Sequence, residues 1–215
     1  MIIVHHLETS QSERIIWLLE ELGLPYALER YQRDPVTRLA PPALREVHEL
    51  GSAPIIQDGD VTLAESGAIV EYILDRYAEG TLRPAVADAP YPAYLYWFHY
   101  ANGGLMQIGG IMMVLTAAEG LDSPVGAMMK ERVDRHLDMI DRHFSNSAYC
   151  AGETFTAADI MLHFGLATMR AFHPLPIGNR AGIRGWLDRI SERENYQRAM
   201  RRAGHATDPA LPDAA

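Results

Sequence analysis

Three short segments in the first third of the chain hold residue types that could do chemistry. Thr9-Ser10-Gln11-Ser12 lies between an apolar run and a helix-length segment. Hydroxyls at such a junction cap a helix, each cap being worth about 1 kcal/mol. They also donate hydrogen bonds to an anion at a helix N-terminus, where the dipole adds its attraction. Both uses fit these residues. Ala53-Pro54 opens a second apolar run. X–Pro bonds are cis in only about 5–6% of cases in folded proteins. A cis bond here would turn the amide and carbonyl of Ala53 outward, where an extended peptide could pair with them. Glu65-Ser66 starts a further helix. Ser66 suits a helix cap and, with the N–H groups of the first turn, a carboxylate site. Glu65 beside it can hold an ammonium group. An anion site and a cation site side by side suit an amino-acid headgroup.

These segments need elements to position them. Ile2-Ile3-Val4 reads as a buried strand, and Ile15 to Leu22 as an apolar helix closed by Gly23 and Pro25. Tyr26 to Tyr31 reads as a second strand. Pro41-Pro42 can open a short helix. Ala53 to Gln57 and Val61 to Leu63 flank the turn Asp58-Gly59-Asp60 as a hairpin, and a helix starts within Leu63 to Ile73. The order β-α-β-α-β-β-α fits one four-stranded sheet with helices packed on it. Beyond it the pattern is helical over 93–118, 124–145, 156–171, 181–193 and 194–202. The expected organisation is an α/β domain over residues 1–80, a Gly/Pro linker over 81–92, an all-α helical bundle over 93–205 and a flexible tail over 206–215.

The chain has 215 residues and a net charge of −9, concentrated in residues 1–80, which hold six Arg and fourteen Asp/Glu. An acidic chain without a basic block argues against nucleic acid or anionic membranes as partners. The single cysteine, Cys150, excludes an intramolecular disulfide and a Cys-based zinc site. It fits a reducing compartment and reads as a small buried hydrophobe. His5 and His6 lie at a strand end with no Cys or carboxylate at ligand spacing, so no metal site is expected. Met1 to His6 has neither the basic region nor the long apolar core of a signal peptide. Residues 89–118 carry no Asp, Glu, Lys or Arg. Gly, Pro, Asn102 and Gln107 interrupt that stretch, which favours a buried helix over a membrane span. Six aromatics between Tyr91 and Tyr100 suit close packing or the wall of a ligand pocket.

Taken together, Ser10-Gln11-Ser12-Glu13-Arg14, the Gly51-Ser52-Ala53-Pro54 turn, Leu63-Ala64-Glu65-Ser66-Gly67-Ala68-Ile69 and Phe155-Thr156-Ala157-Ala158-Asp159-Ile160 resemble the glutathione transferase family. The resemblance spans nearly the whole chain, and the serine with Arg14 is similar to the serine-type, theta/zeta-like members. It implies a thioredoxin-like N-terminal domain, a helical C-terminal domain, a cytoplasmic homodimer and reduced glutathione as co-substrate, with no permanently bound cofactor. By the same resemblance Ser10 would donate its hydroxyl to the glutathione sulfur, with Ser12 as fallback and Thr9 behind it. Ala53, with Pro54 cis, would pair with the cysteinyl backbone. Glu65 and Ser66 would hold the γ-glutamyl amine and carboxylate, and Thr156 with Asp159 would form a capping box.

The implied chemistry is attack of the glutathione thiolate on a small apolar electrophile, a detoxification reaction. A free thiol titrates near pH ~8.5, and a helix N-terminus with donors lowers that value. Isomerisation, dehalogenation and peroxide reduction use the same thiolate, and a non-catalytic binding relative uses the same fold. One position departs from the family pattern. Ser52 stands where many members place Lys or Gln against the glycine carboxylate of glutathione. His48, Arg38 and Arg45 are the candidates to replace it.

Overall fold

The computed structural model describes residues 1–173 and 175–205; the expected tail over 206–215 lies outside the described residues. The elements in chain order are β1 (Ile2–Leu7), α1 (Glu13–Leu22), β2 (Tyr26–Tyr31), α2 (Ala43–Val47), β3 (Ile55–Asp58), β4 (Val61–Ala64), α3 (Ser66–Tyr77), α4 (Tyr91–Tyr100), a π-helical segment (Ala101–Met106), α5 (Gln107–Ala117), α6 (Pro124–Phe144), α7 (Ala157–Leu166), a 3₁₀ turn (Thr168–Ala171), α8 (Ala181–Ser191) and α9 (Glu194–Ala203). The described chain divides into two compact units, residues 1–81 with 192–205, and residues 82–191.

The first unit is built on one four-stranded sheet in the order β2-β1-β3-β4. β1 runs parallel to β2, and the other two pairings are antiparallel. Ile15, Ile16, Trp17, Leu18 and Leu19 of α1 are all buried, although they point in every direction around the helix. A helix apolar all round needs cover all round. The sheet and α3 cover part of α1, and α9 covers the rest.

That role for α9 departs from the sequence reading, which groups it with the helical bundle. Tyr196, Ala199, Met200 and Ala203 follow i, i+3, i+4, i+7 spacing and are buried. Tyr196 meets Trp17 edge-on, with ring centroids 5.0 Å apart. Arg193 donates twice to Glu21, at 2.9 Å each, and Asn195 donates to it at 3.0 Å. Arg198 and Arg202 reach Glu20 at 2.6 and 2.8 Å. Periodicity finds an apolar stripe but says nothing of which partner buries it.

In the second unit the uncharged stretch is one long helix interrupted by the π segment. Tyr100 folds its ring back over Gly104, where an added Cβ would sit 2.5 Å from Cδ2 of that ring. One side of this stretch is buried through Trp97, Phe98, Leu105, Ile108 and Met112, while Tyr96, Ile111 and Val114 are exposed. No helix among the described residues is long and apolar enough to cross a membrane. The helix expected over 156–171 breaks after Leu166 into the 3₁₀ turn. Thr156 and Asp159 form the expected capping box at the start of α7. The buried Asp159 carboxyl accepts from the Thr156 N–H at 3.0 Å, the Cys150 N–H at 2.8 Å and the Trp186 indole at 3.1 Å.

Candidate functional site

The sheet register brings the three chemical segments to one end of the sheet. His5 pairs with Ile55 and Ile55 with Ala64, so the end of β1, the start of β3 and the end of β4 coincide. The Thr9–Ser12 loop leaves that end from β1, Ala53-Pro54 enters it before β3, and Glu65-Ser66 leaves it into α3. The Ala53–Pro54 bond is cis.

Ser10 and Ser12 are both buried, Ser12 with no exposed surface. Their hydroxyl oxygens are 2.7 Å apart, and the Ser12 N–H donates to the Ser10 Oγ at 3.3 Å. The Ser12 side chain does not cap α1 as expected. Its hydroxyl turns inward instead, 2.8 Å from His6 Nδ1. Thr9 holds the loop in a left-handed conformation at φ 49°. That conformation is uncommon for a β-branched residue. Arg33 supports it by donating to the carbonyls of Glu8 and Thr9, at 3.1 and 3.0 Å.

At the start of α3, Glu65 is exposed and Ser66 buried. Ser66 is the first residue of the helix rather than its cap. Its hydroxyl accepts from Arg14 Nη1 at 3.2 Å and donates to Gln11 Oε1 at 3.3 Å. Arg14 also donates to Gln11 Oε1. Arg14 is buried in α1, and burial lowers its guanidinium to about 9, against the pull of neighbouring Glu13. A buried guanidinium, a hydroxyl and a helix N-terminus together attract a carboxylate.

The three candidates near the cis-proline turn differ. His48 Nδ1 accepts the Leu50 N–H at 3.2 Å, so neutral His48 carries its proton on Nε2 as a donor. Arg45 is exposed, and its side chain lies against Gly51, where an added Cβ would be 2.5 Å from Arg45 Cγ. Arg38 is exposed in the loop after β2, with its carbonyl accepting from Arg33.

Sequence reasoning missed His6, Arg33 and the burial of Arg14. Strand alternation sends His5 and His6 to opposite faces, which is the one signal that could have separated them. His5 contacts the Tyr31 hydroxyl and Gln57 at 2.9 and 3.1 Å, while His6 faces Ser12.

Comparison with known proteins identifies the family. Residues 1–75 match the glutathione S-transferase N-terminal domain and residues 112–194 the C-terminal domain. Glutathione S-transferase 3 of Schizosaccharomyces pombe is 33% identical, over 90% of this chain and 84% of its own. A glutathione S-transferase from Actinobacillus pleuropneumoniae superposes with a TM-score of 0.86 at 30% identity, covering 99% of this chain and 98% of its own. A glutathione transferase family member from Pseudomonas fluorescens, solved with two glutathione bound, has the same fold, with a TM-score of 0.76 at 23% identity over 93% of this chain and 92% of its own. This chain belongs to the glutathione S-transferase family.

Proposed function

We propose that the chain catalyses attack of the glutathione thiolate on a small apolar electrophile, with Ser10 as the donor to the sulfur. The observation that carries this reading is that the loop holding Ser10, the cis Ala53–Pro54 bond and the Arg14–Ser66 pair all lie at one end of the sheet. Ser12 is fully buried with its hydroxyl on His6 while Ser10 keeps a little exposed surface, which supports Ser10 as the hydroxyl toward the ligand. Ala53 offers its backbone to the cysteinyl unit beside Pro54. Ser66, backed by Arg14, takes the γ-glutamyl carboxylate, and Glu65 takes the amine. His48 and Arg45 flank the turn that holds Ser52 and are the donors for the glycine carboxylate. The glutathione bound to the Pseudomonas fluorescens relative supports the choice of ligand. A cytoplasmic homodimer with a detoxifying role accords with the family.

Serine does not ionise here; its hydroxyl stabilises the anion and lowers the thiol pKa. The test is calorimetric titration with reduced glutathione, followed by turnover of an activated aryl halide. One site per chain is expected. Ser10→Ala should keep binding and lose on the order of 10²–10³-fold in kcat. Normal turnover by Ser10→Ala would sink the Ser10 assignment.

A further inference from the structure

Behind Ser10 lies a hydrogen-bonded chain that thiolate stabilisation alone does not need. Ser10 Oγ is 2.7 Å from Ser12 Oγ, Ser12 Oγ is 2.8 Å from His6 Nδ1, and His6 Nε2 is 2.9 Å from the carbonyl oxygen of Ala203 at the end of α9. A carbonyl only accepts, so His6 carries its proton on Nε2. Nδ1 of the neutral ring is then an acceptor, and the Ser12 hydroxyl donates to it at 2.8 Å rather than to the more distant Leu7 carbonyl at 3.4 Å. The Ser12 oxygen in turn accepts from Ser10. Burial keeps His6 neutral, lowering it to about 4, and the charges of Arg30 on β2 and His205 beyond α9 act in the same sense. His205 is itself bonded to Glu13 of α1 at 2.9 Å.

We propose that Ser12 and His6 are positioning residues that form the inner half of a proton relay, through which the thiol held at Ser10 loses its proton. The proposal rests on the reading that glutathione sulfur lies at Ser10. In the step, the S–H bond breaks and its proton moves to Ser10 Oγ. The Ser10 proton moves to Ser12 Oγ, and the Ser12 proton to His6 Nδ1. Sulfur keeps the electron pair as thiolate, and the imidazole becomes imidazolium only for the lifetime of that thiolate, because the buried ring is a weak base that hands the proton back. No oxidant or reductant is needed. Afterwards the chain points the other way: His6 donates to Ser12, Ser12 to Ser10 and Ser10 to sulfur, with the Ala203 bond unchanged. Every donor and acceptor is satisfied before and after. The thiolate supplies the counter-charge that the buried ring lacks at rest. Once the thiolate has attacked, the proton returns along the chain to the departing or adduct anion.

The test uses His6→Gln, Ser12→Ala and the double variant of the full chain. Glutamine keeps a donor toward Ala203 and an amide oxygen that accepts from Ser12, but it has no nitrogen that can take the proton. Ser12→Ala leaves the His6–Ala203 bond in place, so it carries the test alone if His6→Gln does not fold. Each single variant should bind reduced glutathione within about 3-fold of the unsubstituted chain. With glutathione and chlorodinitrobenzene, each should lose on the order of 10²-fold in kcat at neutral pH. The loss should shrink toward pH ~8.5 and above, where solution bases take the thiol proton directly. The double variant should be no slower than the slower single, because both interrupt one path. Unchanged kcat, a loss that does not vary with pH, or losses that multiply in the double variant would each overturn the relay. Absence of glutathione binding by the unsubstituted chain overturns the underlying reading and the relay with it, so the first titration separates the two failures.

Discussion

Single side chains decide what the candidate site can hold. Arg14 is the buried positive charge behind Ser66, joined to it and to Gln11. Arg14→Met keeps much of the buried volume and removes the charge. Glutathione should then bind at least about 10-fold more weakly in calorimetry, as expected for a lost charge-assisted bond of 1.5–3 kcal/mol. His6 makes a separate prediction about stability. Its folded pKa is about 4, below the ordinary 6.5, so between those values the unfolded chain binds the extra proton. Stability should therefore be complete above about pH 6.5 and fall as pH drops toward 4, by up to about 3 kcal/mol. Thermal melts across that range should show the decline, and His6→Gln should lack this component. Nothing at the residue level of the sequence marks His6 for this role, because its partner Ala203 stands 197 positions away.

At the scale of elements, α9 is joined to α1 by apolar contact and by a cluster of ion pairs. Glu21 accepts from Arg193, Asn195 and the Trp17 indole. Burial alone would raise its carboxyl; these donors outweigh burial and hold it below the ordinary range. Glu21→Ala removes the acceptor of four hydrogen bonds, from Arg193, Asn195 and Trp17, and should cost roughly 1–3 kcal/mol, read as a lower Tm. α6 and α8 meet at Gly182, where an added Cβ would be 2.3 Å from the backbone oxygen of Asp141. Backbone cannot swing aside as a side-chain tip can. Gly182→Ala should therefore destabilise by about 1–3 kcal/mol in denaturant titration, with glutathione affinity unchanged as a control. Strands, hairpin and most helices are legible in the sequence because their periods and turn residues are local. The π segment is not legible, since no local periodicity or turn residue marks its start at Ala101 or its end at Met106.

For the whole molecule, the chain returns at its end to the unit where it began. Ending the chain before Glu192 removes α9 and with it the cover on Trp17 and the anchor of His6. Such a truncation should expose the α1 face and abolish cooperative melting of the first unit, as followed by tryptophan fluorescence. The proposed homodimer predicts a light-scattering mass near twice the 24.0 kDa of one chain. Residue type and placement at element boundaries mark Ser10-Gln11-Ser12, Ala53-Pro54 and Glu65-Ser66 as candidate binding segments, and their order along the chain carries the family resemblance. Both are local properties, so the sequence by itself determined them. Which hydroxyl stands against His6, which cation stands behind Ser66, and which unit α9 completes were decided only by the tertiary structure. Each depends on contacts between residues far apart in the chain, and neither spacing nor composition carries information about those.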